Sequence, residues 1–255
     1  MKNFLMTSLF ILFATLFATL FVTAFATSAR ANIDIPQSLS KADRETSLRI
    51  LGFGTSNKIL SDPYPLGGYS GLEFGLSVSD FPTDALKNLG SKTNSVQNDV
   101  AYSSLSVGKG LYNNLDVFLN FTPYLQSVQM SQLGAQIRWS FYQAETLPFS
   151  MSVLFTGNSS NISNRVTVRT IGADIIGGLN VNRVALYSGV GSVQSSGEFV
   201  GGSRGLTDSG YQESESVMGL HLLLGINIRL SDFFLSAEAD HYQDTVFSGK
   251  FGLRL

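Results

Sequence analysis

Residues able to do chemistry are few in this chain. The stretch "EADHYQD" sets Asp240 directly before His241, with Asp244 close behind. A carboxylate that orients an imidazole makes it a general base toward water, which is the chemistry of a hydrolase. Adjacent residues of a strand point to opposite faces, however, so Asp240 orients His241 only if the backbone there is irregular. The other histidine, His221, has no serine partner at a motif spacing. With 2 histidines and 0 cysteines, the chain offers no metal-ligand spacing, no disulfide and no thiolate site. No Gly-rich element ending in Lys-Ser/Thr precedes a helix, and no cofactor is expected. A second set of polar residues is more informative: Glu73, Asp116, Arg138, His221, Arg229, Glu238, Lys250 and Arg254, with Asn120, Gln132, Gln136 and Asn227 among them. Facing inward together they would form a satisfied polar core or a charged constriction that selects small solutes. Glu238 and Lys250 fall on adjacent segments and are expected to pair, as are Asp116 and Arg138.

The elements that must carry these residues are strands. In "VMGLHLLLGINIRL" (217–230), Met218, Leu220, Leu222, Leu224, Ile226, Ile228 and Leu230 take every second position, with a small or polar set between them. A period of two puts the sets on opposite faces of one strand. That strand exceeds the usual five or six residues of about 18 Å, so it needs an extended apolar surface to lie against.

Compartment follows from the amino-terminal end. "MKNFLMTSLFILFATLFATLFVTAFATSARA" has a basic start, an apolar run and an Ala29-Arg30-Ala31 pattern, which predicts a cleaved signal peptide over 1–31. The competing reading is an uncleaved anchor. Removing Lys2 and Arg30 from 17 bases leaves 15 against 19 acids, a net of −4. That charge gives no footprint for nucleic acid. Charged residues are 14% of the chain, below the usual quarter or so. Beyond residue 31 no apolar run is long enough for a spanning helix. A bilayer admits only helices and closed barrels, because every backbone polar group within it must be paired.

Residues 32–68 read differently, as a periplasmic segment. "LSKADRETSLRILGFG" predicts a short amphipathic helix over about 40–51, capped by Ser38 or Ser40 and ended by Gly52 and Gly54. Such a helix would cap or plug the periplasmic mouth. An extra strand at 47–56 competes with it, and twelve strands is the alternative count. From Tyr69 to Leu255 the predicted strands are 69–79, 100–110, 114–124, 130–142, 148–157, 164–176, 183–194, 214–230, 233–242 and 245–255. The segments 100–110, 164–176 and 183–194 alternate weakly. The count is even, and the longest connections, 80–99 and 195–213, both fall at one end. Tyr69, Tyr112, Tyr142 and Phe233 fall at the inner strand ends, and Tyr102, Tyr124, Tyr211 and Tyr242 at the outer ends, as aromatic girdles require. A soluble sandwich or lipocalin-like barrel also alternates, but it needs surface charge that this chain lacks. The fold class expected is all-β: a closed antiparallel transmembrane barrel over 69–255.

The closing stretch "FSGKFGLRL" resembles the carboxy-terminal signal of Gram-negative outer-membrane β-barrels, with Phe247, Phe251, Leu253 and Leu255 alternating. Its last residue is Leu, where that family usually has Phe. "VGKGLYNNLDVFLNF", "IGADIIGG" and "LYSGVGSV" are similar to strand–turn–strand pieces of small members of the same superfamily. The resemblance covers 69–255 and is architectural. It implies a chain lodged among outer-membrane lipid and lipopolysaccharide. It also implies that the barrel-assembly machinery reads Phe251, Leu253 and Leu255, with periplasmic chaperones as partners before insertion. The function expected is structural or a narrow passive channel. A binding or adhesion protein acting through its long loops comes second, and an outer-membrane hydrolase third.

Overall fold

The computed structural model describes residues 33–91, 98–202 and 205–255; the predicted signal peptide lies outside the described residues. Ten strands follow one another along the chain: β1 (Leu72–Pro82), β2 (Asp99–Gly110), β3 (Leu115–Leu125), β4 (Met130–Gln143), β5 (Phe149–Ile162), β6 (Val166–Val181), β7 (Val184–Phe199), β8 (Glu213–Leu230), β9 (Phe233–His241) and β10 (Thr245–Arg254). Each pairs antiparallel with its neighbour, and β1 pairs with β10, so the sheet closes into a barrel without an edge. The helix named α1 (Lys41–Gly54) occupies the place where an extra strand competed, which removes the twelve-stranded alternative.

The period of two has its expected consequence. Met218, Leu220, Leu222 and Leu224 stand on the outside, while Val217, His221, Leu223 and Asn227 of the same strand are buried. Leu119, Phe121, Leu133, Ile137, Phe155, Ile171, Ile175, Leu186, Val190 and Phe247 continue the exposed apolar face on other strands. Soluble proteins seldom expose a contiguous apolar patch beyond a few hundred Å².

Three strands run further than their patterning predicts: β5 to Ile162, β6 to Val181 and β7 to Phe199. The added lengths turn mostly small or polar residues inward, Asn158 and Ser160 on β5, Gly178 on β6 and Ser195 and Gly197 on β7. Val166, Val168, Val193 and Phe199 also point in and are buried, so the alternation on β6 and β7 is weak. The connection read as 177–182 shrinks to Asn182 and Arg183, and the long outer connection becomes 200–212. Tyr102 and Tyr242, assigned to the outer girdle, turn inward instead. Tyr102 is buried, and the Tyr242 ring lies against Phe53 and His221 with centroids 5.4 and 4.4 Å away.

The largest correction concerns the amino-terminal segment. It does not cap the short-turn mouth; it threads the barrel from end to end. Residues 33–40 lie at the long-connection end. There the Ser163 hydroxyl donates to Ile33 O, Ser91 N donates to Gln37 O, and Leu39 bridges Thr207. The chain then descends as α1 against β6, β7, β8 and β1, continues as an extended strap over 55–66, and leaves at the short-turn end to begin β1. Ser40 and Asp43 cap each other's backbone in a capping box, which satisfies two amides that the first turn would orphan. The helix runs past 51 and Gly52 and ends on Gly54. Both glycines lie where the wall is too close for a side chain: a Cβ on Gly52 would stand 2.5 Å from Ser195 Oγ, and one on Gly54 2.4 Å from the Phe81 ring.

Candidate functional site: the lumen and its occupant

The lumen has two storeys. At the long-connection end it is apolar: Leu48, Ile50, Leu51 and Phe53 of α1 meet Phe81, Val100, Val168, Val193, Phe199, Val217 and Val246 of the wall. Burying each such side chain contributes roughly 1.5–3 kcal/mol relative to leaving it in water. Above this layer the Arg44 guanidinium is only 3% exposed. It bonds Glu215 at 2.8 Å, Asp208 at 3.1 Å, the Leu39 carbonyl at 3.0 Å, and Glu213. These contacts fasten α1 to the start of β8 and to the connection that precedes it.

Toward the short-turn end the lumen is polar, and every charged residue listed from the sequence faces it. Asp116 and Arg138 are register partners on β3 and β4 and pair at 2.8 Å, both fully buried. Lys250 does not pair with Glu238. Its ammonium lies 2.6 Å from Glu73 on β1, which also receives Arg254 at 2.7 Å. Register alone would favour Glu238: Lys250 stands opposite Ser236 on β9 and Ser77 on β1, which puts Glu238 two positions from its register partner and Glu73 four. Glu238, however, is claimed by the strap. Its carboxylate accepts from the amides of Ile59 and Leu60 at 2.9 and 2.8 Å and from the Tyr187 hydroxyl at 2.8 Å. Arg229 reaches Asp62 of the strap at 2.8 Å.

The remaining strap contacts follow the same rule: wall side chains hold its main chain. Gln136 donates to Lys58 O at 2.7 Å, Arg138 to Asp62 O, Ser140 and Ser152 to Pro63 O at 2.8 and 2.5 Å, and Asn158 to Thr55 O at 3.0 Å. Asp116 accepts from Leu66 N at 3.1 Å. An extended segment in a lumen leaves its amides and carbonyls unpaired, and buried backbone groups require partners. The polar lumen supplies them. Phe118 and Phe234 lie against the cations, with Arg138 5.1 Å from the Phe118 ring and Arg254 5.3 Å from Phe234.

The histidines separate as strand geometry demands. His241 faces out and meets Thr245 Oγ1 at 3.0 Å. Asp240 faces in and meets the other histidine: His221 Nε2 is 2.9 Å from Asp240 and its Nδ1 is 2.7 Å from Asp174. Both ring nitrogens are occupied by carboxylates, so neither is available to activate a nucleophile. Among the described residues no group of His, Cys, Asp or Glu is arranged to hold a metal ion. Asp174, Lys58, Asp62 and Tyr187 were not singled out from the sequence. Asp174 carried a usable signal, because Gly172, Asp174 and Ile176 alternate with the outward Ile171, Ala173 and Ile175. The strap residues carried none. At the carboxy terminus Phe251 stacks on Phe233 at 5.6 Å, and Leu255 is exposed.

No family model and no curated protein matches this chain. Among solved structures it is similar to the amino-terminal β-barrel domain of Pseudomonas aeruginosa OprF, at 11% identity and a TM-score of 0.34 over 74% of this chain and 99% of that one. It is similar to Ail, the attachment invasion locus protein of Yersinia pestis, at 18% identity and a TM-score of 0.30, covering 72% and 97%. It is also similar to the KdgM porin, at 8% identity and a TM-score of 0.36, covering 72% and 98%. No residue role is carried over from any of them. The neighbours found are outer-membrane β-barrels, and this chain's own unbroken ladder of ten strands makes it a closed antiparallel β-barrel.

Proposed function

We propose that this protein is a sealed outer-membrane barrel with a structural role, its long connections and residues 33–40 facing the outside of the cell. The observation that carries this reading is the threaded segment 33–66. Two spaces beside it, of about 10 and 20 Å³, have room for at most one or two waters each and none for a solute. A narrow passive channel would require the strap to leave, yet the strap's main chain is hydrogen-bonded by wall side chains along most of its length. The hydrolase reading loses its geometry, since Asp240 and His241 face opposite sides and both nitrogens of His221 are engaged. Lipid and lipopolysaccharide would surround the aliphatic face, and the assembly machinery would read Phe251, Leu253 and Leu255 on β10. Planar-bilayer recording of the refolded full chain tests the proposal. It predicts no ohmic conductance at moderate potentials; steady single-channel steps from the intact chain would overturn it.

A further inference from the structure

We propose that the space between the strap and the β1–β4 wall is a built hydration site, holding one or two structural waters that complete the attachment of the strap. The wall side chains that bond the strap's main chain are Asp116, Gln136, Arg138, Ser140, Ser150, Ser152, Asn158 and Glu238, on β3, β4, β5 and β9. Toward β1 and β2 the strap is set back from the wall. A cavity of about 20 Å³ lies there, bordered by strap residues 56–58 and 60 and by wall residues that include Ser77, Ser106, Asn120, Gln132 and Lys250. A space this size accepts one or two waters, since about 10–15 Å³ suffices for one.

Three buried polar atoms of this lining have no hydrogen-bond partner among the described residues: Ser106 Oγ, Asn120 Nδ2 and Gln132 Oε1. Ser106 and Gln132 are each only 6% exposed. Groups buried to this degree normally find a partner in protein or ordered water.

The chemistry of these three atoms decides what the site takes. The Asn57 amide nitrogen donates to the carbonyls of Ala135 and Gly157 at 3.1 and 3.0 Å. Its oxygen must therefore face Gln132, whose Nε2 donates to it at 3.3 Å. That fixes the Gln132 amide with its oxygen toward the cavity. The site presents one acceptor, one donor and one hydroxyl that serves as either. An anion would meet Gln132 Oε1, and the Lys250 ammonium that would attract it is already neutralised by Glu73 at 2.6 Å. A cation would face the Asn120 amide hydrogens and that same ammonium. Water, donor and acceptor at once, satisfies all three.

The sign of a stability change tests this. A buried hydroxyl without a partner destabilises, so in a dry site Ser106→Ala raises the urea unfolding midpoint of the refolded full chain. In a hydrated site the same substitution removes an anchor of the water and lowers the midpoint, and Asn120→Leu lowers it too. A midpoint that rises or holds in Ser106→Ala overturns the proposal. A crystal structure gives the second readout. One or two ordered peaks within about 2.7–3.2 Å of the three atoms support it. An anomalous peak there after growth in bromide assigns the site to an anion and overturns it, as does flat density.

Discussion

Arg138 shows what single residues do in this lumen. It heads the fully buried side chains by volume, and its guanidinium bonds Asp116 by Nε at 3.1 Å and Nη2 at 2.8 Å, Ser61 Oγ at 2.8 Å, and the Asp62 carbonyl. Removing one partner of a buried pair costs about 3–5 kcal/mol, because the other charge is left without compensation. Arg138→Met should lower unfolding stability by roughly that amount, and Asp116→Leu in the same chain should recover part of it; equilibrium unfolding in urea measures both. The two histidines make a matched contrast. His241→Ala removes an exposed side chain and should change stability by no more than about 0.5 kcal/mol. His221→Phe leaves Asp174 and Asp240 facing each other without their shared partner and should cost about 1–3 kcal/mol or more, read by the same titration. At this scale the sequence disclosed direction, and partnership for Asp116 and Arg138 but not for Glu238 and Lys250. Alternation shows that Glu238 and Lys250 point inward. Their true partners, strap amides and Glu73, depend on strand register and on a segment whose path no local pattern encodes.

Among the elements, α1 is the one whose position carries the account. Its apolar residues alone give an amphipathic helix, and its capping box was half-visible in the Ser40 signal. Ser40→Ala should weaken it by about 1 kcal/mol, within the roughly 0.5–2 kcal/mol range of such caps. The expected sign is earlier loss of the α1 contacts, followed by hydrogen exchange of residues 41–54 against the wall strands. Where α1 lies was not legible, because an amphipathic helix is equally content across a mouth or inside it. The weakly alternating strands held the missing clue. On β2, β6 and β7 the inward face carries Val100, Val166, Val168, Val193 and Phe199, all buried against the α1 layer. A strand with lipid on one side and an apolar helix on the other loses the contrast that periodicity needs. The failure of the pattern thus marked the part of the barrel that the helix fills.

For the whole molecule, closure of β1 onto β10 gives every strand a hydrogen-bonded neighbour on both sides, and the threaded segment fills what closure encloses. The barrel itself was legible because its outer face answers to one rule over its full circumference. The thread was not, because it obeys the wall rather than its own sequence. A chain built this way has residues 33–40 and the start of β1 at opposite mouths. Absence of cysteine makes the decisive measurement clean. Gln37→Cys and Ser70→Cys, both at exposed positions, are expressed separately and treated on whole cells with a membrane-impermeant maleimide, before and after permeabilisation. The account predicts that position 37 is labelled on intact cells and position 70 only after permeabilisation. Labelling of both positions from the same side would contradict it.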